Sequence, residues 1–208
     1  DRTDADACRR MIDRLNGRFG GKFVFCLRPR VYSRTEGEYI GAERKRGAVL
    51  ALTDYMTTGR NVFSVMYGDI SALTASDYVM LLDGDTLLPF DSLRLALAAA
   101  YHPLNQPVID PLTDTVKSGY GIFAPAASPS VRGFSATRFS RDMCRSGGVS
   151  SYDRANHDFY SDYFGDGIFC GKGLIHAPTF CRLLQSRFRE ERMLSHDIAE
   201  GLVLRVLS

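Results

Sequence analysis

The sequence predicts an α/β domain built on a mixed sheet, and three observations carry that expectation. The apolar run Tyr78-Val79-Met80-Leu81-Leu82 is continuous and stops abruptly at Asp83-Gly84-Asp85-Thr86, as a buried strand entering a turn does. Strand-like and helix-like segments alternate through the first hundred residues, the signature of strand–helix units. Beyond them, two β-rich stretches, 107–111 and 119–125, flank the polar turn Thr113–Lys117 and read as a strand pair, which makes the sheet mixed. At 208 residues the chain is long enough for one substantial domain with a real core, and residues 1–208 are read as one domain.

Taken in order, residues 4–17 show helical spacing of Ala7, Met11, Ile12 and Leu15, with Gly17 as the expected stop. Phe23–Leu27 reads as a buried strand, and 41–56 as a helix whose polar opening is Glu43-Arg44-Lys45-Arg46 and whose inward side chains are Val49, Leu50 and Leu52. Residues 61–69 give another strand. After the 78–82 strand, Pro89 and Asp91 open a helix running to about Tyr101, a proline early and an acid near the N-terminus. Residues 127–165, rich in Ser, Asp, Arg and Tyr, read as loop with short helices. A last helix is expected from Asp197 to Leu207.

Composition excludes several classes. A net charge of +2 from 26 basic and 24 acidic side chains lacks the basic excess of a nucleic-acid-binding domain. No apolar run reaches the length of a membrane span; the best, Leu93–Tyr101, is about half of it. Cys8, Cys26, Cys144, Cys170 and Cys181 have neither CxxC pairing nor regular spacing, which points to reduced thiols packed as small core residues in a cytosolic setting. The chain starts DRTDADACRR with no leader pattern, and is expected to be a piece of a larger protein.

Asp83 and Asp85 are the first candidate site. They end a strand, where open α/β sheets place their ligands, and two carboxylates two residues apart on a glycine-loosened turn can face one point. Hard cations such as Mg²⁺ or Mn²⁺ take such oxygen ligands and share them with substrate phosphates, and a cation so held stabilises a departing diphosphate. The bland alternative is a turn whose aspartate caps the next helix. A Mg²⁺-dependent phosphatase of the haloacid-dehalogenase type would also place two aspartates here, as Asp-x-Asp-x-Thr; in this chain Thr86 follows Asp85 directly and Leu87 holds the expected threonine position.

Six segments in one order extend the argument: GEYIGAERKRGAVLAL (37–52), YVMLLDGDTLLP (78–89), HPLNQPVID (102–110), GYGIFAP (119–125), FGDGIFCGKG (164–173) and LSHDIAEG (194–201). Together they resemble the family-2-like processive glycosyltransferases of the GT-A fold, and more closely the glycosyltransferase domain of cyclic β-1,2-glucan synthases, over roughly residues 20–206. The resemblance implies a GT-A, Rossmann-like mixed sheet flanked by helices and truncated at its N-terminal nucleotide-binding unit. It implies glucose transfer from UDP-glucose to a growing β-1,2-glucan with inversion, on the cytoplasmic face of the inner membrane in a membrane-embedded parent protein. Gly84 stands where the family has a small alanine, and GIFAP lacks the family's Gln-Pro-Arg ending.

By the same resemblance Asp83 and Asp85 hold the metal and the donor, and Asp197 is the general base that deprotonates the acceptor hydroxyl, with His196 beside it as an orienting neighbour. Arg44, Lys45 and Arg46 would neutralise donor phosphates. Gly171, Lys172 and Gly173 would floor the acceptor site, since glycine lets backbone approach a sugar closely; Lys172 would face phosphate or sugar hydroxyls, or be a plain turn lysine. Phe169 would offer a ring for stacking, with a core phenylalanine as the other reading, and Asp166 would be a further acid. A non-catalytic carbohydrate-binding scaffold of the same shape is the alternative from a different functional class.

Overall fold

The computed structural model describes residues 2–125, 130–143, 163–189 and 196–208. It is mixed α/β, with helices and several small sheets in place of one broad sheet. The chain divides into two compact units, Asp1–Val79 with His176–His196, and Met80–Ile175 with Asp197–Ser208.

In the first unit, α1 (Arg2–Phe19) carries Asp4 in its first turn and Arg18 in its last, each favourable to the helix dipole. It runs through Gly17, because one interior glycine weakens a helix by only about 1 kcal/mol without stopping it. The stop comes at Gly20 and Gly21, both at positive φ, whose amides donate to the Asn16 carbonyl at 2.9 and 3.1 Å. The Asn16 side chain then brackets Phe23, accepting from its amide at 2.7 Å and donating to its carbonyl at 2.9 Å, which aims the chain into β1 (Phe25–Leu27). β1 pairs antiparallel with β4 (Val65–Tyr67), and β2 (Val31–Tyr32) with β3 (Tyr39–Ile40).

Helix α2 (Arg44–Thr58) buries Val49, Leu50, Ala51, Thr53, Asp54 and Met56; Leu52, expected inward, is only half-buried. It packs on α7 (Ala177–Leu184), which buries Phe180, Leu183 and Leu184. Gly59 ends α2 in the left-handed region, its amide donating to the Tyr55 carbonyl at 2.9 Å. The short α3 (Ser71–Thr74) leads into β5 (Tyr78–Leu81).

A four-stranded sheet has the order β10-β8-β9-β5. β8 (Ile122–Phe123) pairs parallel with β10 (Val206–Leu207) and antiparallel with β9 (Gly173–His176), so this sheet is mixed, as expected. α4 spans Ser92–Ala100 and a 3-10 turn Pro103–Asn105 follows. The expected strand pair is corrected: β6 (Val108–Asp110) pairs with β7 (Thr115–Ser118), which lies partly in the supposed turn. Residues 119–125 leave the hairpin at Gly119, whose φ of 68° has no room for a Cβ against the Gln106 carbonyl. The Gly121 amide then donates to the Leu204 carbonyl at 2.7 Å and delivers Ile122 to the central sheet.

Two short helices, α5 (Val131–Ala136) and α6 (Arg138–Met143), fall within the 127–165 stretch; residues 126–129 and 144–162 lie outside the described residues, and Cys144 with them. The last helix, α8 (Asp197–Leu204), is shorter than expected. Arg205 adopts a φ of 55°, and the β-branched Val206, 1% exposed, enters the sheet. Of the described cysteines only Cys181 is buried; Cys8 and Cys26 are half-buried and Cys170 is exposed. Among the described residues no helix is long and apolar enough to cross a membrane.

Two outcomes test this packing. Gly173 sits in β9 at a φ of 142°, where an added Cβ would lie 2.6 Å from the Phe123 carbonyl oxygen; Gly173→Ala is expected to lower unfolding free energy by about 2–4 kcal/mol in urea titration. Burial holds the His176 imidazole below its ordinary 6.5, against a smaller upward pull from Asp77, while its Nδ1 lies 2.7 Å from Thr179 Oγ1. The unfolded chain therefore binds the proton more readily, and stability falls as pH drops below the unfolded value of 6.5. Urea midpoints at neutral and mildly acid pH should show that loss, and it should be smaller in His176→Gln.

Candidate functional site

The second unit gathers half of the expected site around one backbone segment. β5 ends at Leu81, and the four residues after Leu82 close a turn: the Thr86 amide donates to the Asp83 carbonyl at 3.0 Å, and the Asp83 amide to Thr86 Oγ1 at 3.2 Å. Thr86 thus locks the turn that presents the two acids. Gly84 has open space where a Cβ would be and no positive φ, so glycine and alanine are sterically equivalent there. Asp83 is half-buried and Asp85 exposed.

Lys172 meets this turn. Its Nζ stands 2.9 Å from Asp83 Oδ2, both side chains about one-third exposed. The hydrogen bond to Asp83 raises the ammonium's pKa over the opposing effect of burial, and the charges of Asp83, Asp85 and Cys170 add to the rise. Next to it, Gly171 lies under Asp197: a Cβ there would be 3.1 Å from Asp197 Oδ2 and 3.4 Å from Oδ1. Gly171 also has a φ of 74°, so both conformation and clearance require glycine. Two adjacent residues therefore touch Asp83 on one side and Asp197 on the other. Asp197, at the start of α8, is half-buried, whereas its helix neighbour Glu200 is buried at 3%, which leaves Asp197 as the accessible acid of that pair.

Two expected site residues are committed elsewhere. Phe169 is 2% exposed and packs its ring in the core, so stacking against a sugar is corrected to a packing role. Asp166 accepts from Arg205 Nε at 2.8 Å, and the Arg205 guanidinium also lies over the Tyr120 ring, 5.0 Å from its centroid.

In the first unit the three basic residues part company. Arg44 is exposed and pairs with Glu36 at 3.0 Å; Lys45 is exposed as well. Arg46 turns inward, its side chain 8% exposed, with Nη1 3.3 Å from Glu43 Oε2 and its guanidinium over the Phe188 ring. His196 Nε2 reaches the same Glu43 oxygen at 3.4 Å. Reading the sequence missed Glu43, because its importance comes from a contact 153 positions away in sequence, between residues 43 and 196. Glu43 and Arg44 both adopt left-handed φ, 54° and 46°, an unusual conformation outside glycine. Arg28 holds it, donating to the Ala42 and Arg44 carbonyls at 3.0 and 2.8 Å, and burial lowers the Arg28 pKa. Gly47 leaves room for this insertion, since a Cβ would stand 2.6 Å from Arg28 Nη1. The glycine of ERKRG is thus a packing requirement. A cavity of about 530 Å³ adjoins the cluster, with Arg28, Arg46, Leu50, Asp54, Arg60 and Phe188 among its walls.

Asp83 and Asp85 are the two carboxylates that bear on Lys172, fewer oxygen ligands than a divalent cation takes without substrate. Two carboxylates attract one cationic group there, and Mg²⁺ commonly takes one or two carboxylates plus substrate phosphates. Among the described residues no three or more His, Cys, Asp or Glu side chains converge to form an all-protein cage.

No family model matches the chain. Over 198 residues, 93% of its length, the chain is 37% identical to the cyclic beta-(1,2)-glucan synthase NdvB of Rhizobium meliloti (strain 1021), of which the match covers 7%. The two proteins are thus related over nearly all of this chain, and the chain corresponds to a small part of that enzyme.

Glu43 carries a structural prediction of its own. Glu43→Ala takes from Arg46 and His196 their shared buried carboxylate, and is expected to lower unfolding free energy by about 3 kcal/mol in urea titration.

Proposed function

We propose that this chain is the glycosyl-transfer core of a larger glucan synthase, with a GT-A-type arrangement, moving glucose from UDP-glucose to a β-1,2-glucan with inversion. The single observation that carries the reading is the Gly171-Lys172 segment, which sets Asp197 and Asp83 against consecutive residues of one backbone. A direct displacement needs a base on the acceptor side and charge stabilisation on the leaving-group side. The relation to a glucan synthase supports the choice of sugar and product. In the longer protein the unit would work at the cytoplasmic face of the inner membrane.

In this reading Asp197 accepts the proton of the acceptor hydroxyl as that oxygen bonds to the anomeric carbon. The bond from that carbon to the diphosphate oxygen breaks, and its electron pair leaves with UDP. Asp197 serves as an ionised carboxylate, held by the helix start it occupies and by its seat on Gly171. Gly171 and Gly173 are buried, and the space a Cβ would take at each is filled by Asp197 and by the Phe123 carbonyl, so the expected acceptor floor is corrected: these glycines seat the acid and the strand, and only Lys172 of the three reaches solvent. Asp83 and Asp85 would hold Mg²⁺ or Mn²⁺, which when bound offsets the negative charge of the diphosphate. Thr86 keeps those two acids in a closed turn and stands one place ahead of the threonine a haloacid-dehalogenase phosphatase would need, which argues against that reading.

Calorimetry with UDP and Mn²⁺, set beside glucan alone, separates this reading from a carbohydrate-binding scaffold. UDP binding that depends on Mn²⁺ and is lost in Asp85→Ala supports transfer; binding of glucan alone would overturn it. In the longer protein, Asp197→Asn is expected to keep UDP binding and slow transfer by roughly 10²–10⁴-fold. Normal turnover in that variant would remove Asp197 from the mechanism.

A further inference from the structure

Lys172 stands where its charge competes with any cation brought to Asp83 and Asp85. Its Nζ is in direct contact with Asp83 Oδ2 at 2.9 Å. A divalent ion on that oxygen and an ammonium at hydrogen-bond distance from it would repel strongly at such short range. The backbone on either side of Lys172 is closely packed. Gly171 lies under Asp197 and Gly173 against the Phe123 carbonyl, so the segment is bounded by neighbours on both sides. The side chain can yield: it is 36% exposed and carries its charge on a flexible four-carbon stem. The movement has a destination, since a diphosphate arriving with the cation offers a second anion to the displaced ammonium.

We propose that Lys172 is a displaceable counter-ion: it neutralises Asp83 while the site is empty, opposes binding of a divalent cation alone, and transfers to the donor diphosphate when cation and nucleotide enter together. Lys172 then couples the two ligands, each raising the affinity for the other by the same factor, as linkage requires. The inference rests on the transferase reading and adds an order to it: cation and nucleotide bind as a pair.

The test uses this chain and its Lys172→Met and Lys172→Arg variants, with Mn²⁺ binding followed by electron paramagnetic resonance and UDP binding by calorimetry at fixed Mn²⁺. Lys172→Met is expected to bind Mn²⁺ alone on the order of tenfold more tightly and UDP in Mn²⁺ on the order of tenfold more weakly, two changes of opposite sign. Lys172→Arg, which keeps the positive charge, should stay within about threefold of the parent for Mn²⁺ alone. A lysine with a purely structural role would move both affinities in one direction or neither. If the parent binds Mn²⁺ with UDP but Lys172→Met binds Mn²⁺ no more tightly, the counter-ion inference falls and the transferase reading stands. If the parent binds UDP no better with Mn²⁺ than without, both fall.

Discussion

The second unit is organised by the steric demand of three consecutive residues, Gly171-Lys172-Gly173. The two glycines occupy conformations that a Cβ would strain, and each abuts a neighbour that a Cβ would strike: the Asp197 carboxylate in one case, the Phe123 carbonyl in the other. Because Gly173 opens β9, the same constraint that seats the candidate base also sets the pairing of β9 with β8. Sheet register and site geometry are therefore one problem here. A residue that loosened the strand would move the carboxylate, and crowding at the carboxylate would disturb the strand.

Charge compensation follows the same economy in both units. In the second, Lys172 meets Asp83 beside Asp85, and Arg205 occupies Asp166. In the first, Glu43 serves Arg46 and His196 at once, and Arg28 fastens the loop on which Glu43 sits through two carbonyls. The buried cluster and the part-exposed one differ in what they allow. Arg46 is stacked on Phe188 and enclosed, as a planar guanidinium permits, and so is fixed. Lys172 is a point charge with solvent beside it, and so can move.

Local signals were legible in the sequence wherever neighbours in the chain decide the outcome. The run that became β5 was read correctly within one residue, because four half-buried apolar positions followed by a polar turn need no distant partner to be recognised. α2 follows its apolar spacing, whereas α4 starts only at Ser92: Pro89 lies outside it, and Asp91, at a φ of 65°, precedes it without a side-chain cap bond. Errors arose where a distant residue decides. The hairpin was misread because residues 119–125 look like a partner for 107–111, yet Gly119 meets the Gln106 carbonyl and the chain is passed to Leu204 and β10 instead. The last helix was drawn too long because nothing local to Arg205 announces that Val206 will pair with Ile122. Gly17 looked like a stop, but the backbone turns only where Gly20 and Gly21 take positive φ.

The sequence by itself determined the order of elements, the acid pair after a strand and a glycine-rich segment around Lys172, since composition and spacing along the chain are all that those require. It also carried the kinship to part of a glucan synthase. Only the tertiary structure decided which candidates meet. It set Lys172 against Asp83 and Gly171 under Asp197, drew Phe169 into the core, and gave Asp166 to Arg205. It also brought forward Glu43. The physical reason is the same in each case: a side chain's role follows from the charge and volume of whatever packs beside it, and those neighbours lie tens of residues away along the chain.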